Sequence, residues 1–352
     1  MFLALREIKK EKLRSGLIIA MIVLISYLIF ILISLALGLA RENTDALDSW
    51  GTQTVILSKD ANIQMGQSLL STKQVDDSAL TADDALVGQA TVVAKASGHE
   101  KLSAVFLGLR ADDFIAKNLT LTSGHKPTSS RELVVDESFK DAGYKLGDTF
   151  KLNSQTKPYT IVGFTKNAKM NIAPVVYGQL SAWAGLKNLR AGWAGSAIVS
   201  RKKAATSVKG LAAYTRAKFV SELPGYSAQN MTFELMIGFL MIISLIIIAV
   251  FLYILTIQKL PNYAVMRVQG IPSKVLVGGT LSQALLLVGS GLVIGIVLTV
   301  ITAVAMPAAV PMAFDVPILA AVGAGLLVMA VIGALLPARS VLKVDPMAVI
   351  GG

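Results

Sequence analysis

Residues 234–258 read ELMIGFLMIISLIIIAVFLYILTIQ, and a few positions on, residues 263–274 read YAVMRVQGIPSK. The first stretch holds one charge, at its very edge, and is longer than the roughly 20 apolar residues needed to cross a bilayer. The second holds Arg267, Lys274 and a Gly-Ile-Pro step, none of which belongs in hydrocarbon. Working outward, Leu17–Ala40 is a second uncharged run. The uncharged tract from Val275 to Phe314 is too long for one span and is broken by PAAVP at residues 307–311, where Pro removes a helical hydrogen bond. It is followed by a further apolar run from Val316. The expected spans are therefore residues 17–40, 232–258, 275–305 and 316–337: four transmembrane helices, with a short external loop at 306–315.

Composition agrees. The chain of 352 residues is 54% hydrophobic and 16% charged, against about 25% charged in an ordinary soluble domain. Lys and Arg cluster at Arg6, Lys9, Lys10, Lys12 and Arg14, at Lys259, Arg267 and Lys274, and at Arg339 and Lys343, while the 306–315 loop has only Asp315. The excess of Lys and Arg on cytoplasmic loops predicts a multi-pass plasma-membrane protein with both termini cytoplasmic. Residues 259–274 and the tail 338–352 are then inside, and residues 41–231 outside. The net charge of +11 reflects this bias, not a nucleic-acid partner. The first run is too long for a signal-peptide core and lacks a good small-residue cleavage site, so it reads as a retained helix. Residues 1–16 place Met1, Leu5 and Ile8 on one face and Arg6, Lys9 and Lys10 elsewhere, the pattern of a cytoplasmic interfacial helix lying on membrane lipids. Two roles stand for it: a topology anchor, or a handle that shifts with the first span.

The 41–231 insert reads as a mixed α/β extracellular domain between the first and second helices. TQTVILSK, AVFLGL, RELVVDES, DTFKLN and PYTIVGFT are short, β-branched and bounded by polar clusters. SFKDAGYKLG reads as a short helix ended by Gly, and SRKKAATSVKGLAAYTRAKFVSEL as one or two surface helices. Cys is absent, which excludes a disulfide scaffold. No catalytic centre is expected. There is no phosphate-binding GxxxxGK[ST], no HExxH and no GxSxG. The two His, His99 and His125, sit in loop-like contexts, and no structural metal site is expected.

The order of parts carries a resemblance. MFLALREIKKEKLRSGLIIAMIVLI, RELVVDESFKDAGYKLGDTFKLNSQTKPYTIVGFTKNAKMNIAPVVY, YAVMRVQGIPSKVL and LLPARSVLKVDPMAVI resemble, in that order, four segments of the MacB/FtsX-type ABC transporter permease superfamily. GFTKNAKMNIAPVVY and PGYSAQNMTFELMIGFLMIISL narrow the likeness to HrtB-like haem-exporter permeases. One departure is Tyr263, where the superfamily's loop motif has an acidic residue. The resemblance implies a homodimer bound to two copies of a separate cytoplasmic ABC ATPase. ATP is handled by that partner, haem is the cargo, and no cofactor is intrinsic. The alternatives are an FtsX-like signal transmitter that moves nothing, and an exporter of an antimicrobial peptide or other amphipathic cargo.

Site residues follow from chemistry and from that likeness. PNYAVMRVQG can form a short helix after Pro261, stopped at Gly270 and Pro272, with Tyr263, Met266 and Arg267 on adjoining faces as an ATPase-coupling element. The plainer reading is a polar turn whose Arg fixes topology. A haem site needs apolar walls and an axial ligand. With no Cys, and His poorly placed, the expected substrate-binding set is Met170, Tyr226, Phe30, Tyr27, Met231, Phe233 and Glu234. Met170, in a polar KNAKMNIAP, is the candidate haem-iron ligand or else a local packing residue, with Lys166 and Lys169 near enough in sequence to meet propionates. Glu234 opens the second span, where it either answers the helix dipole or faces cargo. Gly238, Ser244, Gly289, Ser290, Gly291 and Gly295 predict close helix approach, with the second helix at a dimer seam.

Overall fold

The computed structural model describes residues 11–307 and 310–342. The expected interfacial helix, apart from its last residues, and the tail beyond Leu342 lie outside the described residues. The chain divides into two compact units, one formed by Met1–Gly38 with Met231–Gly352, the other by Leu39–Asn230.

Four long helices organise the first unit: α1 (Lys12–Ser49), α2 (Tyr226–Val268), α3 (Ser273–Ala305) and α4 (Val316–Leu342). Among the described residues these are the helices long and apolar enough to cross a membrane. The expected positions hold, and the expected ends do not. α1 continues through the polar RENTDALDS to Ser49, because charges end the apolar span but not the helix. α2 starts at Tyr226 and runs 43 residues without interruption through Pro261. The separate coupling helix is therefore absent: PNYAVMRV is the last part of α2. α4 likewise passes through Pro337 to Leu342. One missing N–H costs a helix a single bond, and here buried neighbours, Tyr263 and Ala264 after Pro261 and Val341 after Pro337, favour continuation.

The stop after α2 matches expectation in detail. Gly270 is left-handed (φ +85°). Its N–H donates to the Arg267 carbonyl at 3.0 Å, and Ile271 N–H donates to the Met266 carbonyl at 3.1 Å. This is a Schellman closure, which satisfies the orphan carbonyls and brings Ile271 beside Met266. Pro272 follows as the residue capping α3.

The bundle core joins Ile22, Ile29 and Phe30 of α1, Ile248, Leu252 and Leu255 of α2, Ala284, Leu287 and Leu292 of α3, and Leu326, Ala330 and Ala334 of α4. Glycines set the approach. A Cβ on Gly291 would lie 2.5 Å from Ile22 Cγ2, and one on Gly333 would lie 3.2 Å from the Ala249 amide nitrogen. Gly238 of α2 meets nothing. It lies near an uncovered stripe of Leu235, Phe239, Ile242, Ile246, Val250, Tyr253 and Ile257, spaced three and four apart.

The second unit is the inserted α/β domain. Its strands are β1 (Thr54–Ser58), β2 (Leu70–Ser71), β3 (Asp84–Lys95), β4 (Leu102–Leu109), β5 (Leu121–Gly124), β6 (Glu132–Asp136) and β7 (Thr149–Leu152). They continue as β8 (Tyr159–Thr165), β9 (Lys169–Met170), β10 (Ala173–Gln179), β11 (Trp193–Gly195), β12 (Ala197–Ser200) and β13 (Leu211–Thr215). One large sheet runs β13-β1-β12-β3-β4-β10-β6-β8-β5, with β7 and β9 paired off this path, and β2 and β11 form a separate pair. β4/β10 and β6/β8 are parallel. Successive residues feed opposite faces. Val105, Leu107, Val175 and Tyr177 enter one core with Leu47 and Trp50 from the end of α1. Ala104, Phe106, Val176, Phe139, Phe150 and Trp183 form the other. Where the sheet is covered on both faces, as at AVFL of β4 and LVV of β6, the strands read as continuous apolar runs, while the less covered β7 (TFKL) alternates. The short helix Ser138–Asp141 appears as expected, with Gly143 left-handed behind it. The SRKKAATSVKGLAAYTRAKFVSEL segment instead gives β13 and the single short helix Arg216–Ser221. Ala212 and Ala213 pair with Leu57 and Ile56, and edge pairing outweighs alanine's helical preference.

Gly291→Val should lower the melting temperature of the detergent-purified protein, since overpacking costs roughly 1–3 kcal/mol. Gly238→Ala, on the open face of α2, should leave it unchanged or raise it, as read by the same thermal-shift measurement.

Candidate functional site

In the helical unit, α3 and α4 diverge enough to leave an apolar cleft of about 630 Å³. Gly289, Val293, Ile296 and Val300 line it from α3, and Leu319, Ala320, Gly323 and Ala324 from α4, with Phe30 of α1 at its base. Its hydroxyl, Thr299 Oγ1, already donates to the Gly295 carbonyl at 2.8 Å. Among the described residues the lining holds no group able to pair with a carboxylate or ligate a metal, which suits the cleft to the apolar part of a molecule. Phe30, itself buried, lines this cavity. Tyr27, one turn away, is tied instead to α3: its hydroxyl and Thr302 Oγ1 are 2.8 Å apart.

Met231, Phe233 and Glu234 share one turn of α2. Met231 is 62% exposed and Glu234 is exposed, with Phe233 half-buried between them. Because α2 begins at Tyr226, Glu234 is two turns inside the helix, and the helix-dipole role expected of it falls away, as that effect fades within the first turn. What remains is a carboxylate beside an exposed thioether at the start of the apolar run of α2.

In the inserted domain Met170 contradicts its assignment as an iron ligand. It is 2% exposed, pairs with Ala173 across the β9–β10 turn, and packs in the core that includes Val175 and Tyr177. The polar letters around it misled: β9 turns every second side chain inward, and Met170 is the inward one. Tyr226 packs half-buried on the edge of the same core. Lys169 is committed to an ion pair with Glu42. Lys166 lies on a pocket of about 280 Å³ beside Trp50, Thr165, Asn167 and Tyr177. Trp50 Nε1–H donates to the Tyr177 hydroxyl at 3.1 Å, and burial pushes that hydroxyl's pKa far up, so it stays neutral. Among the described residues no cluster of His, Asp or Glu is arranged to hold a metal ion.

At the α2–α3 hairpin, Tyr263 is corrected as well. It is 3% exposed and packed with Leu276 of α3 and Val341 of α4. A buried tyrosine in place of the superfamily's acidic residue makes this position a wedge between three helices. Met266 and Arg267 are half-buried and Gly270 is exposed, so the surface expected to couple reduces to Arg267, Met266 and the Gly270 turn. Two further residues escaped the sequence reading. Lys259, taken as an orientation charge, is 7% exposed, and its Nζ donates to Gln283 Oε1 at 3.2 Å. The signal was present: Gln283 places an amide side chain within the long apolar α3.

Residues 234–346 match the family model for the FtsX-like permease C-terminal region. Curated relatives match end to end. A "Putative hemin transport system permease protein HrtB" from Staphylococcus epidermidis is 26% identical over 354 residues, covering 100% of this chain and 99% of that protein. Its namesake from Staphylococcus haemolyticus is 26% identical over 356 residues, with the same coverage. Among solved structures, the inserted domain is similar to the periplasmic region of MacB from Actinobacillus actinomycetemcomitans. The TM-score is 0.35 at 14% identity, covering 52% of this chain and 94% of that one. The extracellular domain of the noncanonic ABC-type transporter YknZ from Gram-positive bacteria gives a TM-score of 0.33 at 11% identity, covering 44% and 84%.

Met170→Ala should destabilise the whole domain by about 2–5 kcal/mol, the usual range for emptying a buried Met site. Met170→Leu should be tolerated, and limited proteolysis of the purified chain distinguishes the two. A Met170→Ala protein with unchanged proteolytic resistance would contradict the packing role.

Proposed function

Starting from a chain that carries an FtsX-like permease domain, we propose that it is the membrane subunit of an ATP-driven ABC exporter whose cargo is haem. The observation that carries this reading is the end-to-end match to hemin-transport permeases, which takes in the inserted domain and all four helices. In this reading the Lys- and Arg-rich α2–α3 hairpin and both termini face the cytoplasm, and the inserted domain faces outward. A separate ATPase binds the hairpin through Arg267 and the Gly270 turn and supplies the chemistry of ATP hydrolysis. This chain supplies the path.

Two copies pair along the uncovered α2 stripe. That stripe is apolar over many turns and its three-and-four spacing suits a helix–helix seam. Met231, Phe233 and Glu234 then lie at the outer end of the seam, where Met231 offers an exposed thioether to the iron and Phe233 a wall for the ring. The half-buried Phe233 and the apolar cleft beside Phe30 suit a flat apolar molecule that enters sideways from the bilayer. A helix displaced by the ATPase at one end moves the seam at the other.

Deleting the gene should make cells sensitive to hemin in the medium. Normal growth in hemin, with new sensitivity to a membrane-active peptide, would move the assignment to the peptide. In the purified complex, Arg267→Glu should weaken capture of the ATPase and reduce ATP-driven hemin release about tenfold or more, as loss of an interfacial charge contact does. Unchanged assembly and export would remove Arg267 from the contact.

A further inference from the structure

The turn between β9 and β10 is built on an ill-suited residue. Met170 pairs with Ala173, so Asn171 and Ile172 are the two central residues of a tight hairpin. Both are left-handed, at φ +51° and +69°. A two-residue turn of this kind takes Asn readily at its first position and Gly at its second. Ile at φ +69° is strained, because a branched side chain crowds the backbone there. Such strain persists where the surroundings hold it or where the side chain has a use. The chain contains its own comparison. Asn62 and Ile63 repeat the pair, at φ +45° and +58°, and there the isoleucine packs on the domain core, which offsets the strain. Ile172 is 44% exposed.

The place of the turn along α1 indicates what covers it. Asn171 N–H donates to the Asn43 carbonyl at 3.1 Å, and Ile172 N–H to the Glu42 carbonyl at 3.2 Å. Lys169 pairs with Glu42 beside them. These bonds hold Ile172 two residues beyond Ala40, the last residue of the uncharged run of α1, or about 3 Å along the helix axis. That is the level at which α1 leaves hydrocarbon. Lys169 neutralises Glu42, so the exposed Arg41 is the charge left over on this step of the helix, and a guanidinium suits lipid phosphate. We propose that Ile172 is a membrane contact: the β9–β10 turn rests on the bilayer surface beside α1, with the isoleucine side chain in the lipid interface. The inference goes beyond the cargo reading and needs only that α1 crosses the membrane. A glycine would fit the turn better but would bring no apolar surface to the lipid. The contact gives the inserted domain a foothold on the bilayer besides the helices that enter it.

The test leaves the turn intact. The unmodified full chain is placed in vesicles of phosphatidylethanolamine and phosphatidylglycerol, a fraction of the lipid carrying a photoactivatable diazirine near the glycerol end of an acyl chain. After illumination, trypsin releases residues 170–187 as one peptide, since Lys169 and Lys187 flank them. Lipid adducts should map to Asn171 and Ile172 within it. The control is the peptide 146–151, whose Leu146 is 46% exposed but lies between Tyr144 and Phe150 of the core on the other face of the sheet from Trp50 of α1. It should stay unlabelled. Labelled spans with an unlabelled turn overturn the proposal. Ile172→Gly relieves the left-handed strain, so it should melt at or above the temperature of the unmodified protein in detergent and should lose the adduct. A Gly variant labelled as before removes Ile172 from the contact. The native peptide map decides even where that variant does not fold. The chain has no cysteine, so Asn171→Cys supplies a single thiol per copy. Efficient joining of two copies in vesicles by a short bis-maleimide would assign the turn to a second chain and overturn the lipid contact.

Discussion

Hydrocarbon offers a peptide group no hydrogen-bond partner, and this constraint shapes the helical unit. Each span must satisfy its own backbone across the apolar core, and α2 and α4 stay helical past Pro261 and Pro337 at its edge, where buried neighbours hold them. The reversal between α2 and α3 is made by a Schellman closure at Gly270 that pairs the Arg267 and Met266 carbonyls.

Within lipid, apolar side chains gain little by leaving one another, so helices associate through close fit and a few polar contacts. Both devices occur. Gly291 admits Ile22, and Gly333 admits the backbone at Ala249. Tyr27 meets Thr302 near one end of α3, and Lys259 meets Gln283 near the other. Where neither device acts, α3 and α4 part to leave the cleft beside Phe30. The inserted domain follows the opposite logic. Water drives its two cores together, and a sheet buried on both faces can hold Trp50, Tyr177 and Met170 out of solvent.

Much of the architecture was legible in the letters. Long uncharged runs are read by length alone, and five strand segments were visible as β-branched clusters, from Thr54–Ser58 to Tyr159–Thr165. Gly270 and Pro272 announced the turn. Met170 was misread from the polar letters beside it, Tyr263 from its place in the loop motif and Lys259 from its charge at the end of a span. In a strand alternate residues point to opposite faces, and in a helix residues three or four apart share one, so an adjacent residue says little about a side chain's surroundings.

The sequence by itself determined how many long apolar runs the chain has, where the α/β domain is inserted and where the α2–α3 turn breaks, because these depend on hydrophobic length, charge and backbone conformation, which are local. Only the tertiary structure decided which candidate residues are open to a ligand. Met231 and Glu234 are exposed, Met170 and Tyr263 are enclosed, and Lys259 turns from a headgroup charge into a buried bond. Burial is a property of residues brought together from distant parts of the chain, and no stretch of sequence carries it alone.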